Sequence, residues 1–566
     1  MGKKSMRYRA LNVAALSVAF AAMSLVATLP AWGQESQSDE GLPPQVGVIN
    51  GHVRQVWTDY GMTPSAKATD AEWCRRVYLD ILGRIPTVDE IQAFVKDRAP
   101  DKKVKLVDKL LYDEAYTEDY ARNWTTLWTN ILIGRSGGTE DNTLTNRAGL
   151  QKYLRDSFAR NKPYDQMVLE LVTATGTNNP GGEGFNGAVN FLVNKLAEDA
   201  ALATADTSRI FLGLQVQCTQ CHNHPFNEWK QQKYWELNAF FRQARPLRRF
   251  VPGGRDIATV ELGNEDFAGE GTTPEEAETY YELRNGLQKV AYPVFVDGTE
   301  VARSGYVEDV DRRTELGKLI INSPYMDRAI ANRMWAHFLG YGFTKPVDDL
   351  GPHNTPSHPA LLDYLAGELR TNSFNLKDLM RWIALSEPYG LSSRTNATNA
   401  KDDPLLGETP KFTHFYLRQM RAEELYESLL VATEAHKTRG SYEEQERAKS
   451  QWLQQFTIAF GTDEGDETTT FNGSIPQTLM MFNGDLIKQA TSYEGGSFLG
   501  RIASDAGMKP AQKIDYLFLA ALGREPNKNE LAMANGLLAA RRGNVAGALQ
   551  DVWWAVLNSN EFIFNH

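Results

Sequence analysis

The stretch DAEWCRRVYLDILGRIP, residues 70–86, decides the fold of this chain. Trp73, Val77 and Ile81 recur at intervals of four, so they predict an amphipathic helix with one apolar face. Gly83 ends this helix, because glycine readily adopts the conformation that terminates a helix. The same helical period continues through much of the chain, and the sequence therefore predicts a mainly α protein.

The predicted architecture consists of two helical domains joined by an irregular, partly β connector. In the connector, Gly, Pro and Glu become frequent, and Asp297-Gly298 lies between alternating apolar and polar residues, which predicts a β-hairpin. The predicted boundaries are 1–33 for a signal peptide, 34–65 for a disordered lead-in, 66–244 for the first helical domain, 245–312 for the connector and 313–566 for the C-terminal helical domain.

The first residues have the layout of a secretory signal peptide. Basic residues precede a long apolar run, and small residues at Ala31 and Gly33 favour cleavage after Gly33. The run is long for a signal peptide, so an uncleaved N-terminal anchor remains the alternative. No other apolar stretch approaches the length of a membrane span. We therefore expect an exported protein, periplasmic or extracellular.

Charge and cysteine content exclude two further classes of protein. The net charge is −11, and loss of the leader with its four basic and no acidic residues would make it −15. Such an acidic chain is not expected to bind nucleic acid, whose phosphates require a basic surface. Three cysteines cannot staple a body of this size through disulfides, so any cysteine function must be local. Cys74 lies on the apolar helix face and is predicted to be buried.

The opening stretch has a second copy near the end of the chain. VYLDILGRIPTVDEI at 77–91 matches LFLAALGREPNKNEL at 517–531. The shared pairs are Leu79/Leu519, Leu82/Leu522, Gly83/Gly523, Arg84/Arg524, Pro86/Pro526 and Glu90/Glu530. This echo predicts a repeated helix-ending unit, which concerns architecture and not catalysis.

The segment QVQCTQCHNHPF, residues 215–226, carries the strongest chemical signal. In a c-type haem site, Cys218 and Cys221 would form thioethers and His222 would be the proximal iron ligand. Alternatively, Cys218, Cys221 and His222, with or without His224, would bind zinc or another divalent metal. The two cysteines are also close enough in sequence to form an exposed disulfide.

Local patterns predict a helix through this segment. Thr207 or Ser208 would open it, and the apolar and cysteine positions would form one stripe, so that both sulfurs and the His222 imidazole share a face. The residues of that stripe are Ile210, Leu214, Cys218 and Cys221. A sixth haem ligand is not evident nearby, and the candidates that only the fold could bring in are Met167, His337, His353, His358 and His414.

A second polar stretch contains Asp348, Asp349, His353 and His358. Asp and His together suit a divalent metal ion or an active cleft, which would permit a metal-dependent hydrolase. The local alternative is that Ser357 caps a helix with Pro359 in its first turn. The acidic loop at 463–467 lacks the alternating ligand pattern of an EF-hand and is predicted to be solvated.

Three long segments, residues 208–241, 327–366 and 474–487, resemble the secreted cytochrome-like proteins of planctomycetes. These proteins pair a PSCyt-like domain with a PSD-like domain, both of unknown function. The resemblance implies export, a mainly helical two-domain body and a cytochrome-like character. The residues that it marks are Cys218, Cys221, His222, His224, Pro225 and Phe226, then Asn332, Arg333, Asp348, Asp349, Ser357, His358 and Pro359.

Two functions therefore follow from the sequence. The first is an exported cytochrome-like protein with one haem c on the C-x-x-C-H segment, serving electron transfer with an unknown redox partner or a haem-linked redox step. The alternative is an exported binding or scaffold protein whose C-x-x-C-H-x-H segment is a structural metal or disulfide site. Whether the protein is an enzyme is left open.

Overall fold

The protein is mainly α, as predicted, in a computed structural model that describes residues 41–566. The description leaves out residues 141, 226, 252, 255–256, 270–272, 439, 461–473 and 495. The predicted signal peptide and the acidic loop at 463–467 lie outside the described residues. None of the helices in the described ranges is long and apolar enough to cross a bilayer.

The helices before residue 241 include those that carry the first copy of the repeat. They are α1 (Pro44–Asp59), α2 (Asp70–Leu82), α3 (Val88–Lys96), α4 (Lys102–Tyr112), α5 (Glu114–Ile133), α6 (Arg147–Ala159), α7 (Tyr164–Thr173), α8 (Ala197–Thr207) and α9 (Gln231–Asn238).

The helices of the C-terminal half begin directly after the predicted connector. They are α10 (Arg312–Ile321), α11 (Pro324–Leu339), α12 (Pro359–Thr371), α13 (Leu376–Ala384), α14 (Ala422–Thr433), α15 (Tyr442–Phe460), α16 (Ile475–Asn483), α17 (Asp485–Ala490), α18 (Phe498–Ser504), α19 (Pro510–Leu522), α20 (Lys528–Ala540), α21 (Val545–Leu557) and α22 (Asn560–Ile563).

The strands form small antiparallel sheets, in the orders β1-β3-β2, β4-β5 and β6-β7. They are β1 (Gly176–Thr177), β2 (Ala244–Phe250), β3 (Ile257–Asn264), β4 (Thr279–Glu282), β5 (Gln288–Ala291), β6 (Arg418–Gln419) and β7 (Phe564–Asn565). The connector thus contains two hairpins, β2–β3 and β4–β5. The hairpin predicted at Asp297-Gly298 is reduced to a tight turn with one bridge, Val294 to Glu300, because the neighbouring residues make no further strand pairs.

Helix α2 forms as its sequence predicts. The Thr69 hydroxyl accepts the Glu72 N–H at 3.2 Å, and the Glu72 carboxylate accepts the Thr69 N–H in return, which completes a capping box. At the other end Gly83 adopts a left-handed conformation with φ of 69°. All residues from Trp73 to Leu82 are buried, including Cys74 as predicted. Helix α2 is therefore a central element and not a surface helix.

The predicted disordered lead-in, residues 34–65, is wrong where the structure describes it. Residues 44–59 form helix α1, which buries Val46, Ile49, Val53 and Trp57. These apolar residues recur at helical spacing. The prediction of disorder came from the polar composition of the residues that precede them. Helix α1 is therefore part of the folded body.

The described residues form two hydrophobic cores, which do not divide at the predicted connector. The first contains apolar residues from α1 through Tyr416, so it draws on both predicted helical domains. The second contains residues from Met420 to Ile563, together with Leu79 and Ile85 from the opening stretch. Helix α2 thus contributes to both cores.

Buried charged groups on α2 bind backbone carbonyls from the C-terminal half. Arg75 donates to the carbonyls of Ala521 at 2.9 Å and Phe562 at 2.8 Å. Arg76 donates to the carbonyls of Leu391 at 2.9 Å and His566 at 3.2 Å. A buried guanidinium needs such partners because the desolvation of an unpaired charge is costly.

Asp80 is the acidic counterpart of these arginines. Its carboxylate pairs with Arg418 and accepts the Tyr389 hydroxyl at 2.6 Å and the Asn565 amide at 2.8 Å. Burial raises the pKa of Asp80 to about 6, against the lowering effects of Arg418 and Tyr389. Because the folded-state pKa is raised, protonation of this carboxyl stabilises the folded state: that gain is complete below about pH 4 and is lost as the pH rises through about 6. Above that pH the ionised carboxylate keeps its contacts with Arg418, Tyr389 and Asn565.

The repeated stretch forms the same polar unit twice. Arg84 pairs with Glu90 at 2.9 Å and with Asp119 at 2.6 Å. Arg524 pairs with Glu530 at 2.9 Å and also with Glu561. In both copies the glutamate belongs to a capping box that starts the next helix, α3 or α20. The predicted repeat unit is therefore a helix end, an arginine and a capped helix start.

Replacing Asp80 by Ala should lower the free energy of unfolding by about 3–5 kcal/mol, because the buried Tyr389 hydroxyl and Asn565 amide and the partly buried Arg418 would lose their common acceptor. The measurement is urea unfolding at pH 8. Asp363→Ala is the matched control, since Asp363 pairs with Arg328 but its side chain is 62% exposed; its loss should stay below about 1 kcal/mol. Equal losses for the two variants would contradict the role given to Asp80.

The arginines of the two repeat copies should contribute differently to the free energy of unfolding. The Arg84 side chain is 10% exposed, whereas that of Arg524 is 31% exposed. Arg84→Ala should therefore cost about 3 kcal/mol and Arg524→Ala about 1 kcal/mol. Thermal and urea unfolding of both variants test this order, and a larger loss for Arg524→Ala would show that exposure does not set the difference.

Candidate functional site

The C-x-x-C-H segment does not continue the preceding helix, contrary to the prediction. Helix α8 ends at Thr207 and is followed directly by one π-helical turn, Ser208–Leu212. Gly213 then adopts φ of 65° and ends the helix, and the amide of Leu214 donates back to the carbonyl of Ser208 at 3.1 Å. The predicted stripe of Ile210, Leu214, Cys218 and Cys221 therefore does not exist.

The two cysteines lie instead around a short 3₁₀ turn, Gln217–Gln220. Cys218 and Cys221 are both exposed, and both thiols are free. Thr219 between them is fully buried, and its hydroxyl donates to the carbonyl of Val216 at 2.6 Å. The turn is thus anchored by the residue between the cysteines, which leaves both sulfurs at the surface.

Helix α9 and strand β4 hold the carbonyl that precedes Cys221. The Gln220 carbonyl accepts hydrogen bonds from the Gln231 amide and from the Trp235 indole, both at 3.1 Å. Trp235 stacks on Tyr281 with ring centroids 5.8 Å apart and an angle of 10° between the ring planes. The stacking of Trp235 on Tyr281 therefore helps to hold the C-x-x-C-H segment in place.

His222 is oriented as a metal-ligating histidine usually is. Its Nδ1 lies 2.7 Å from the carbonyl oxygen of Asn223. Because a carbonyl can only accept, Nδ1 carries the proton and Nε2 keeps its lone pair. Ligating histidines commonly donate their other ring N–H to a carbonyl in this way. His222 can therefore offer Nε2 to an iron or another metal ion.

His224 has the opposite tautomer. Its Nδ1 accepts the backbone N–H of Asn227 at 3.2 Å, so the proton of a neutral ring lies on Nε2. In this arrangement His224 does not offer a nitrogen lone pair to a metal ion. Among the described residues, which leave out Phe226 of this segment, no group of three or more His, Cys, Asp or Glu is placed to hold a metal ion. The structure thus gives no support to the alternative zinc set that includes His224.

The second predicted polar stretch lies directly against the first. Asp348 is buried and accepts hydrogen bonds from Arg209 at 3.0 Å and from Gln215 at 2.8 Å. The amide of Leu350 donates to the carbonyl of Gly213 at 2.7 Å. Asp348 therefore fixes the start of the C-x-x-C-H segment, and its carboxylate oxygens are occupied by this structural role.

His353 extends the contact between the two stretches. Its Nε2 lies 2.8 Å from the Asp349 carboxylate, and its ring centroid lies 6.0 Å from that of His224. The loop itself is held by Asn332, whose side-chain amide donates to the carbonyl of Val347 at 2.8 Å. Two segments that lie far apart in sequence thus form one candidate site, with the thiols and His222 at its surface.

His358 does not join this site, although the sequence grouped it with Asp348, Asp349 and His353. It is buried beside Phe343 and Phe412, and burial lowers its pKa to about 4. The predicted cap is also different, because the helix after Ser357 has His358 at its first flanking position and no side-chain cap. A hydrolytic site that uses all four residues is therefore not assembled.

Among the candidate sixth haem ligands, the structure places only His353 in contact with this segment. Met167 is buried in the first core, and the Nε2 of His337 lies 2.9 Å from the carbonyl of Asp80. His414 packs against Tyr416. Burial lowers the pKa of His337 well below its ordinary value and also lowers that of His414.

Sequence reasoning missed Arg209 and Gln215, which join the two stretches. Arg209 precedes the cysteine segment and Gln215 begins it. The available signal for Arg209 was a charged residue on an otherwise apolar turn, whereas Gln215 carries no such signal. Their partner could not be named, because Asp348 lies 139 residues from Arg209.

Comparison with protein families identifies two adjacent domains. The model of PSCyt2, described as a protein of unknown function (DUF1549), matches residues 48–246. The model of PSD1, described as a protein of unknown function (DUF1553), matches residues 312–538. No curated protein and no solved structure matches the chain. The first match contains the cysteine segment and the second contains Asp348, so the candidate site is built from both domains.

Replacing Gly213 by Ala should destabilise this junction. The left-handed backbone costs a non-glycine residue about 1–2 kcal/mol, and the new Cβ would lie 2.8 Å from Cδ1 of Leu350. The free energy of unfolding in urea should fall by at least that amount. Gly536→Ala is the control, because Gly536 lies in helix α20 with open space around it and should gain up to about 1 kcal/mol. A neutral Gly213→Ala variant would contradict the close approach of Leu350.

Proposed function

We propose that this chain, which belongs to the proteins that carry a PSCyt2 domain followed by a PSD1 domain, is an exported carrier of one c-type haem. The observation that carries the proposal is the state of the C-x-x-C-H groups: two exposed free thiols, followed by a histidine whose Nδ1 faces a carbonyl and whose Nε2 retains its lone pair.

These groups match the chemistry of covalent haem attachment. Each thiol would add to one vinyl group to form a thioether, and the next residue would ligate the iron through Nε2. Cys218 and Cys221 are exposed, so neither attachment requires the core to open. When bound, the haem would accept and release one electron at a time. The leader-like sequence supports export to a compartment where such attachment takes place.

The residues of this chain would fix the attachment segment from both sides. Asp348 and Gln215 hold its start, and Gln231 with Trp235 holds the carbonyl before Cys221. A segment held in this way should keep the two thiols and His222 in a constant relative position, which is the condition for stable axial ligation. The protein would exchange electrons with an extracytoplasmic redox partner or serve a haem-linked redox step.

The second candidate is an exported binding or scaffold protein in which the two thiols form a disulfide. The observation in its favour is that Cys218 and Cys221 lie around one short 3₁₀ turn with both sulfurs exposed. Such a bond would be solvent-exposed and readily reduced. It would use the same thiols as the haem, so the two candidates exclude each other in one molecule.

The decisive measurement is the visible spectrum and intact mass of the protein produced in a periplasm with haem-maturation factors. We expect a Soret band that survives denaturation and a mass increase of one haem. Cys218→Ala/Cys221→Ala should lose both signals because no thioether can form. His222→Ala should keep the covalent mass and shift the Soret band, since only the axial ligand is removed.

Cys74→Ala is the matched control, because the third cysteine is buried in the first core. It should retain the attached haem. Wild-type protein without a Soret band and with the mass of a disulfide form would overturn the haem proposal in favour of the second candidate. Metal analysis of the same sample tests for zinc or another divalent ion.

A further inference from the structure

The outer end of the β2–β3 hairpin combines exposed apolar and basic residues that the proposed function does not use. Exposure increases along β2: Ala244 is buried, whereas every residue from Leu247 to Val251 is exposed. On the far side of β3, the Asn178 side chain accepts hydrogen bonds from Thr259 and Val260, and the Asn179 amide donates to the carbonyl of Ala258 at 3.4 Å. The hairpin end is thus covered on one edge only, and β2 is the open edge strand.

The apolar residues of this end are large. Phe250 is 54% exposed, Val251 43% and Leu247 39%. Phe250 is the last residue of β2, and Val251 begins the connection to β3, where its carbonyl accepts the Gly254 N–H at 2.9 Å. Isolated exposed hydrophobic residues are common, but three within five positions at the end of one hairpin form a patch.

Arginines precede Phe250 and Val251 along β2 and lie on both sides of Leu247. Arg245, Arg248 and Arg249 are exposed on β2, and the sequence contains no acidic residue from 237 to 255. Arg249 is paired with Glu261 at 2.7 Å, whereas among the described residues the guanidinium of Arg245 bonds only the carbonyl of Ala244. This basic segment stands out on a chain whose net charge is −11.

We propose that the outer end of the β2–β3 hairpin binds an anionic lipid surface. Phe250 and Val251 enter the boundary between headgroups and acyl chains, and Arg245 and Arg248 contact lipid phosphates. Apolar residues at the end of an exposed edge strand, with arginines before them in the same strand, match the depth profile of a bilayer interface. The hairpin is a peripheral contact and does not span the membrane.

The arrangement is less suited to the two other roles of an edge strand. Charged residues alone protect an edge from aggregation, so protection does not explain an exposed Phe250. An acidic peptide added to β2 would pair with the arginines, but it would leave Phe250 and Val251 exposed at the end of the strand. The basic residues and this exposed apolar end together favour an anionic lipid surface.

The test is flotation of the full chain with vesicles of phosphatidylglycerol and phosphatidylcholine, compared with vesicles of phosphatidylcholine alone. We expect binding to the anionic vesicles, weakened at high salt. Arg245→Gln/Arg248→Gln should reduce the partition coefficient by about thirtyfold, at about one order of magnitude per 1.4 kcal/mol. Phe250→Ser should reduce it by about tenfold or more.

Two control variants change similar residues elsewhere. Leu406→Ser replaces a leucine that is 79% exposed, and Arg98→Gln/Arg160→Gln replaces two exposed arginines on the helical surface. Both should bind as the wild type does. Unchanged binding of the hairpin variants, equal loss in the controls, or binding of an acidic peptide but not of anionic vesicles would overturn the proposal. Haem attachment is irrelevant to each of these outcomes.

Discussion

The buried charges of α2 are the constraint on which the rest of the structure depends. Arg75, Arg76 and Asp80 are withdrawn from water in the middle of the fold, where an unpaired charge would be strongly destabilising. Their partners are supplied by backbone carbonyls and side chains of the C-terminal half. The two hydrophobic cores are therefore not independent bodies, because the helix that contributes to both is satisfied only when both are formed.

At the candidate site, too, a buried charged group joins two parts of the chain that lie far apart in sequence. Asp348, from the region that matches PSD1, is buried against Arg209 and Gln215, from the region that matches PSCyt2. The cysteine segment thus belongs to one domain and is held by the other. This arrangement gives a physical reason why the two domains occur in one chain, since neither alone contains the complete set of contacts around the cysteines.

Local patterns were sufficient to predict the mainly α fold, the burial of Cys74 and the repeated helix-ending unit. Capping residues and apolar periodicity act over a few positions, so the sequence displays them directly. The helix through Cys218 was mispredicted because its stripe was continued across Gly213, whose left-handed conformation is supported by Leu350 from a distant segment. The contact of Asp348 with Arg209, and the exclusion of His358 from the site, likewise depend on tertiary packing that no local spacing encodes.

The bond from Arg76 to the carbonyl of His566 spans 490 positions of the chain. At the usual synthesis rate of about 5–20 residues per second, roughly 25–100 s separate the appearance of these two residues. Until the last of these residues appears, Arg76 lacks one of its final partners. Completion of the polar contacts of α2 is therefore expected to be a late step of folding, because contacts between distant residues form slowly.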